Sequence, residues 1–428
     1  MDRKNFIGMS SFQFMAATRR GLFYGFLTLY VLEVLHRTFT EAMLVMALPM
    51  LANSLTQPFI WGPLSDKMGT RKLFIALGET IAGIAYILLS PPVWSLFTGM
   101  PHTQAASLYT IFLIVGLTLL ESFWSMSNVA WSALLADLTI RETRGTVVGG
   151  LYSIEAIGRI VGVFLGGALY DYPSKAAGFP YLFYISSIIM FSSALVILLT
   201  IEERGIGGRM SYKEQVEVKF EGAPIFYTFL LAIMFISIST ASIRRILNYY
   251  LRLALLATSF EMSLISNVAS ITQLITNPLI GKLSDVKGRV PVLGIGFLLA
   301  IAIPILYTIP RELLWLIPVS ALAGIIRVIS MTVAYSYVAD IIPENARGKY
   351  FGQYNMARTI SFGVVPIVTA GLLPDFWEAN LLRRGYDAVS AEIIAMINVF
   401  YLASVISLIG FVMFWIHSIV KKRMITLQ

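Results

Sequence analysis

The sequence predicts an all-α, polytopic membrane protein made of two similar halves, and three observations lead to this fold class. Of the 428 residues, 57% are hydrophobic and only 13% are charged, and the mean hydropathy is +0.76. Soluble domains carry roughly a quarter charged residues. Apolar runs of about 20 residues, long enough to cross a bilayer as a helix, recur along the whole chain. A short charged motif occurs once in each half.

Twelve apolar runs predict twelve transmembrane helices, because backbone groups inside hydrocarbon need hydrogen-bond partners within their own segment. Their approximate ranges are 19–38, 41–62, 73–91, 107–136, 145–170, 179–201, 223–247, 259–281, 290–309, 313–341, 349–373 and 391–418. The long polar stretch at 202–222 predicts a cytoplasmic linker. It divides the chain into an N-terminal six-helix bundle over 1–201 and a C-terminal six-helix bundle over 223–428.

Lysine and arginine concentrate in the even-numbered connections between these runs and at the end of the chain. Basic loops remain in the cytoplasm, so both termini are predicted to be cytoplasmic and the protein to cross the cell membrane many times. The same distribution accounts for the net charge of +8 without a nucleic-acid partner. Membrane lipids are the expected surroundings, and the protein is expected to be a monomer.

The charged motif reads GPLSDKMGTRK at Gly62–Lys72 and GKLSDVKGR at Gly281–Arg289. A second pair of motifs follows the fourth and tenth runs, with Asp and Arg at identical spacing, which indicates an internal duplication. An Asp at a helix end can pair with a following Arg, and a pair that exists in only one conformation acts as a latch. The predicted gating residues are Gly62, Asp66, Gly69, Arg71, Asp137, Arg144, Asp285, Gly288, Asp340 and Arg347.

With these motifs the chain resembles the major facilitator superfamily of secondary transporters over essentially its whole length. The family's loop signature G-x-L-x-D-x-x-G-x-R-K is matched in full within Gly62–Lys72, whereas the second copy has Val290 at the position of the signature arginine. The resemblance implies two six-helix bundles that rock about a midplane cavity lined by the first, fourth, seventh and tenth helices. The substitution at Val290 predicts that the Asp66 copy carries more of the gating.

The fifth predicted helix contains a glycine series that partly matches a family signature of antiporters. Gly158, Gly162, Gly166 and Gly167 fit the signature, but Val163 replaces its proline. The other interpretation is that glycines four residues apart let two membrane helices pack closely, which needs no antiport. Both interpretations stay open, and close packing is favoured.

Ionisable groups inside membrane helices are costly and usually face a cavity or a partner, so they are the candidates for transport chemistry. The acidic candidates lie in the N-terminal half and are Glu33, Glu79, Glu121 and Glu155, with Arg159 beside them. The basic candidates lie in the C-terminal half and are Arg244, Arg245, Arg327 and Arg358. Burial favours the neutral form of a carboxylate, which suits proton exchange. Glu121 is predicted to carry the proton, with Glu33 and Glu155 as second choices.

Structural roles are the alternatives for several of these groups. Glu155 lies four residues before Arg159, and Glu33 lies four residues before Arg37, so each acid is placed to form an ion pair along its helix. Glu79 is interpreted as a structural partner of the Gly62–Lys72 loop.

Polar residues at helical spacing, together with two tryptophans, indicate where a small-molecule substrate binds. Glu121, Ser125, Asn128 and Ser132 form such a stripe in the fourth helix. The predicted substrate-binding residues are Trp124, Asn128, Trp131, Arg244, Asn248, Asn267, Gln273, Arg327, Tyr354 and Arg358.

The sequence thus predicts a secondary transporter that works by alternating access and exports drug-like or amphipathic compounds by proton antiport. The alternative is a proton-coupled importer of an organic anion or a sugar-like solute, which the C-terminal arginines favour. The chain has no cysteine, no histidine pair and no phosphate-binding loop, so neither an enzyme nor ATP-driven transport is indicated. No metal site and no cofactor are expected.

Overall fold

The computed structural model describes residues 3–68, 70–138, 144–202, 223–342 and 347–426. Every regular element within these ranges is a helix, which confirms the all-α class. The helices up to residue 202 are α1 (Arg3–Tyr24), α2 (Leu27–Glu33), α3 (Phe39–Thr56), α4 (Gly62–Met68), α5 (Arg71–Leu88), α6 (Pro91–Thr98), α7 (Ala106–Leu138), α8 (Arg144–Tyr170) and α9 (Phe179–Thr200).

The later helices are α10 (Ala223–Ala254), α11 (Ser259–Lys287), α12 (Arg289–Thr308), α13 (Leu316–Val328), α14 (Ala334–Ile341), α15 (Arg347–Thr359), α16 (Val365–Ile367), α17 (Leu373–Arg383) and α18 (Ala388–Thr426). The chain separates into two compact units. The first contains Met1–Ser211 and Thr258–Leu264, and the second contains Tyr212–Ala257 and Ile265–Gln428. Most of the predicted linker at 202–222 lies outside the described residues.

Nine helical stretches in the described part of the chain are long and apolar enough to cross a membrane. A tenth is obtained if α5 and α6, which meet at a bend of 62°, count as one span. The other two predicted spans correspond to α1–α2 and α11. The first carries Arg19 and Arg20, and α11 carries serine, asparagine and glutamine along its length, so polar residues explain why neither reads as a simple apolar span. The prediction of twelve helices is consistent with this architecture.

The start of the first predicted helix, at residue 19, is wrong. Helix α1 already begins at Arg3 and, after a turn at Gly25 and Phe26, continues as α2 to Glu33. Polar residues interrupt the apolar pattern in this early segment. Their side chains nevertheless point into the unit, since Gln13 and Arg19 are buried. Arg19 therefore lies inside a long helical segment rather than at its start.

The eleventh predicted helix was placed too short. In the structure, helical turns continue from Arg347 through α15, α16 and α17 to Arg383, and π-helical turns at Ile360–Val364 and Val368–Leu372 join these helices. Pro374, just beyond the predicted range, stands in the first turn of α17.

Candidate functional site

Helices α1 and α8 lie so close together that their backbones touch. A Cβ atom at Gly158 would lie 2.4 Å from the carbonyl oxygen of Phe14, and one at Gly162 would lie 2.0 Å from that of Thr18. No side chain fits at these positions, so the contacts support the close-packing interpretation of the glycine series. The approach fixes α1 beside α8 and sets the positions of the polar side chains on α1.

Arg19, in the middle of this helix, is completely buried. Its Nη1 donates a hydrogen bond of 2.7 Å to Tyr86 Oη and lies 3.8 Å from Glu121 Oε1. The guanidinium carbon lies 4.4 Å from the centre of the Trp124 ring, within the range of a cation–π interaction. Its Nε and Nη2 atoms are buried without a hydrogen-bond partner. The charge of Arg19 is therefore balanced mainly by Glu121 and the aromatic face.

Glu121 lies on α7 and is 7% exposed. Its Oε1 accepts a hydrogen bond of 2.6 Å from Tyr24 Oη of α1. Its Oε2 accepts one of 2.8 Å from Asn53 Nδ2 of α3. One carboxylate thus connects three helices, and any change in its charge alters contacts on all of them.

Glu79 of α5 is completely buried and lies at the indole nitrogen of Trp124. Its Oε1 accepts hydrogen bonds from Trp124 Nε1 at 2.7 Å and from Ser127 Oγ at 2.8 Å, whereas Oε2 has no hydrogen-bond partner. The interpretation of Glu79 as a partner of the Gly62–Lys72 loop is wrong, since its partners lie on α7. Trp124 is held between Arg19 and Glu79, in contrast to the expectation that its ring is offered to a substrate.

We call Arg19, Glu121, Glu79 and Trp124 the Arg19 network. It holds one guanidinium, which stays charged in proteins, and two carboxylates. Its net charge is therefore minus one when both acids are ionised and zero when one of them binds a proton. An unbalanced charge inside a low-dielectric interior is unfavourable.

A second ionic cluster joins α1 to α8. Glu155 accepts a hydrogen bond of 2.8 Å from Gln13 Nε2 and forms an ion pair of 3.1 Å with Arg20 Nη2. The expected pair between Glu155 and Arg159 is not formed, and Arg159 Nε is buried without a hydrogen-bond partner. The two partners of Glu155 therefore lie on α1, and its neighbour on α8 is not one of them.

Glu33, at the end of α2, also has partners other than the expected one. Its carboxylate forms an ion pair of 2.9 Å with Lys175 and accepts a hydrogen bond of 3.1 Å from Tyr170 Oη. Arg37 instead pairs with Glu41 at 2.8 Å, next to the hydrogen bonds by which Thr38 and Glu41 begin α3. The ion pair predicted between Glu33 and Arg37 is wrong.

Arg19 and Arg20 were missed because they occupy the first two positions of the predicted helix at 19–38, at its edge rather than inside it. Their presence corrects the expectation that acids fill the first half and bases the second, since the first unit contains both. One signal could have found Arg20: it follows Gln13 by seven residues, which places both on one helix face.

In the second unit, two arginines converge on Phe362. Arg245 Nη2 donates a hydrogen bond of 3.3 Å to the Phe362 carbonyl oxygen, and the Arg358 guanidinium lies 5.6 Å from the Phe362 ring and 5.7 Å from the Tyr354 ring. Phe362 lies in a π-helical turn, where the regular α-helical bonding pattern is interrupted. Arg244, the predicted substrate residue, is exposed, and its neighbour Arg245 is the one turned inward.

The remaining predicted substrate residues have varied surroundings. Trp131 stacks on Phe12 with ring centres 6.4 Å apart, and its indole nitrogen is buried without a hydrogen-bond partner. Asn267 is 4% exposed, and Gln273 Oε1 is buried without a hydrogen-bond partner. The half-buried members are Asn128, Asn248 and Arg327.

One equivalent arginine–serine contact is present in each copy of the charged motif. Arg71 Nη1 donates to Ser65 Oγ at 2.6 Å, and Arg289 Nη1 donates to the corresponding Ser284 Oγ at 3.2 Å. Arg289 thus makes the contact that the sequence assigned to the position of Val290.

Arg289 also forms an ion pair of 2.9 Å with Asp285 and a second ion pair with Asp340. It follows Gly288, whose φ of +88° suits glycine. In the first copy Gly69 lies outside the described residues, as do the side chains of Asp66, Asp137 and Arg144, and so does that of Arg347 near the second copy.

No group of three or more acidic or histidine side chains among the described residues could hold a metal ion. The site is therefore a set of buried charges and hydrogen-bonding groups carried by helices. A family model described as Major Facilitator Superfamily matches residues 9–253 and 225–424. The chain belongs to the major facilitator superfamily. Its members are transporters, and the fold and buried ionic groups described above agree with that assignment.

Two relatives of this superfamily member are named for drug resistance. A "Multi-drug resistance efflux pump PmrA homolog" of Lactococcus lactis is 25% identical over 275 residues, which are 62% of each chain. A "Multidrug resistance protein MdtG" of Dickeya zeae is 26% identical over 389 residues, which are 88% of each chain. The chain thus spans about three-fifths of the first relative's length. A crystal structure of a bacterial homologue of the human lysosomal transporter Spinster matches with a TM-score of 0.77 over 96% of each chain, at 14% identity, and shows the same fold.

Proposed function

We propose that this superfamily member is a proton-coupled exporter of drug-like or amphipathic small molecules, in which Glu121 carries the coupling proton. The observation that carries the proposal is the Arg19 network, where the buried Arg19 pairs with Glu121 and a second buried carboxylate, Glu79, accepts a hydrogen bond from Trp124 beneath the same guanidinium. Such a network becomes neutral when it binds one proton. The names of the two relatives support export of drug-like compounds.

Protonation of Glu121 changes three contacts at once. The neutral acid no longer attracts Arg19 by its charge, and it accepts weaker hydrogen bonds from Tyr24 and Asn53. These partners lie on α1 and α3, so proton binding loosens both helices from α7. In alternating access, the protonated and ionised networks favour different arrangements of these helices, and this difference couples the proton to the substrate.

Glu33 and Glu155 remain second choices for the proton-carrying group. Each already has a basic partner, Lys175 or Arg20, so each pair is neutral without a bound proton. The predicted gating residues keep their proposed role as latches. Arg71 and Arg289 supply the basic groups that contact Ser65 and Ser284 in the two motif copies.

Transport by purified protein in proteoliposomes tests the role of Glu121. A pH gradient should drive substrate export by the wild type, whereas the Glu121→Gln variant should lose proton-driven transport and retain exchange of labelled for unlabelled substrate. The amide keeps the shape and an acceptor oxygen but cannot bind and release a proton. The matched control is Glu41→Gln, which alters a half-buried carboxylate outside the network. Full proton-driven transport by Glu121→Gln would refute the assignment.

The convergence of Arg245 and Arg358 on Phe362 favours the alternative, an importer of an organic anion. Counterflow with a panel of labelled substrates separates the two functions. Exchange of organic cations and neutral amphipaths, with none of carboxylates or sugar-like solutes, is expected for the exporter. The opposite pattern would establish the importer.

A further inference from the structure

The first unit contains a pocket of about 420 Å³ at the end of α2. Tyr30, Glu33 and His36 line it from the first helical segment and the connection that follows. His102 contributes from the connection between α6 and α7, and Lys175 from the connection between α8 and α9. We call this cavity the Glu33 pocket. It lies outside the Arg19 network, and none of the residues of that network lines it.

The charged groups of the pocket differ greatly in exposure. The Glu33 side chain is 8% exposed, whereas the Lys175 side chain that pairs with it is 66% exposed. Tyr170 Oη, which donates a hydrogen bond to Glu33 at 3.1 Å, fixes the carboxylate in place. The acid is therefore a fixed feature of the pocket, and its cationic partner is a long surface side chain. Exposed lysines gain little from such pairs, because the ordered side chain loses rotamer entropy.

Aromatic groups form one wall beside this carboxylate. The Tyr30 ring and the His102 imidazole stack with centres 6.1 Å apart at an interplanar angle of 23°. Burial lowers the pKa of His102, so the imidazole is neutral at neutral pH and does not repel a cation. An aromatic wall next to an acid suits a cation with an apolar body.

We propose that the Glu33 pocket binds a monovalent organic cation whose ammonium group takes the place of the Lys175 ammonium on Glu33. The apolar part of the ligand lies against Pro180 and the His102 ring, which also line the pocket and are only partly buried. Lys175 is then an internal competitor that occupies the acid when the ligand is absent. The inference goes beyond the proposed function, because it rests on this pocket and not on Glu121.

An anionic ligand is the other chemistry that the lining residues suggest, since Lys175, His36 and His102 all carry nitrogen donors. Glu33 opposes it. An anion that approaches Lys175 meets a fixed carboxylate 2.9 Å from the same ammonium, and like charges at that distance repel. The geometry therefore points to the cation.

Equilibrium binding to the purified full-length chain tests the proposal, with phenethylammonium as the probe. Its neutral analogue 2-phenylethanol and its anionic analogue phenylacetate are the ligand controls. Lys175→Ala removes the competitor and should tighten phenethylammonium binding about threefold to fivefold, the factor that corresponds to an exposed ion pair. Glu33→Gln should weaken it by about the same factor. The neutral analogue should not respond to either change.

The matched control is Arg37→Ala, which removes a positive charge near the same end of α2 without touching the pocket lining. It should leave probe binding unchanged, because its effect on Glu33 is only long-range and screened. Because Lys175 is mostly exposed, the Lys175→Ala variant is expected to fold. It therefore tests cation binding even if the Glu33→Gln variant fails to fold.

Weaker or unchanged phenethylammonium binding by Lys175→Ala would overturn the proposal. Phenylacetate binding that disappears in Lys175→Ala would overturn it too, because it would make the pocket an anion site. Adding Lys175→Ala to the Glu121→Gln variant should tighten phenethylammonium binding by the same factor as it does in the wild type. Failure of the proton-coupling assignment and failure of this inference are therefore distinguishable.

Discussion

The two units differ in the polar groups that they bury among their helices. The first unit buries Arg19, Glu79 and Glu121, so opposite charges meet inside its helices. In the second unit, His417 is completely buried between two hydroxyl groups, Thr228 Oγ1 at 3.0 Å and Tyr337 Oη at 2.7 Å. Among the described residues, every carboxylate with less than 9% exposure lies in the first unit.

This difference separates a unit with a buried ion pair from one whose buried histidine is held by neutral hydrogen bonds. A buried ionic network is costly to assemble and costly to break, and a proton alters it strongly. A hydroxyl–imidazole chain gives a stable connection whose strength depends little on salt.

The largest effect is expected from Arg19→Ala. Its removal leaves the buried Glu121 without its cationic partner, and breaking a buried ion pair costs about 3–5 kcal/mol. Thermal unfolding in detergent should show a large loss of stability, and the double variant Arg19→Ala/Glu121→Gln should recover part of it, since neutralising the acid removes the unpaired charge. A simple sum of the two single losses would show that Arg19 and Glu121 are not coupled.

Glu79→Leu should come next in size. It leaves Trp124 Nε1 and Ser127 Oγ without an acceptor, and hydrogen bonds to a charged group contribute about 1.5–3 kcal/mol. Thermal unfolding measures the loss, and the fluorescence of Trp124 reports the change at the indole. Glu79→Gln keeps an acceptor oxygen and should lose less than half as much. Equal losses for the two variants would contradict the role of these bonds.

A smaller effect is expected in the second unit from His417→Phe. Two neutral hydrogen bonds are lost while the ring contacts with Phe229 and Phe414 are largely kept, so the cost is about 1–2 kcal/mol. Unfolding at low and high salt should give the same loss, because no charge pair is removed. A loss as large as that of Arg19→Ala would remove the contrast between the units.

The smallest effect is expected from Arg289→Ala. The carboxylates that Arg289 contacts are more than half exposed, at 62% and 53%, so the ion pairs contribute less than about 1 kcal/mol. The loss in unfolding free energy should disappear at high salt. Lys287→Ala, which removes an exposed charge next to the same motif, is the control and should change nothing. A salt-independent loss would mean that the ion pairs are not what stabilises this loop.

Periodicity and hydropathy predicted the ends of most helices well, and their failures share a cause. The start of α1 was missed because Gln13, Arg19 and Arg20 break the apolar pattern, yet each has its partner on another helix. Alignment of the two motif copies places Val290 where the signature has an arginine, which predicts a weaker second copy. A neighbouring arginine one residue earlier makes the equivalent contact with Ser284, and only the folded loop shows this.

The sequence by itself determined the all-α membrane class, because apolar runs of about 20 residues recur along it, and its loop motif resembles that of the superfamily. It also singled out Glu121 as the leading acid. Only the tertiary structure decided the partners: Arg19, Tyr24 and Asn53 around Glu121, and Lys175 on Glu33. Partner choice depends on which helices lie side by side, and ion pairs between distant segments leave no trace in local periodicity.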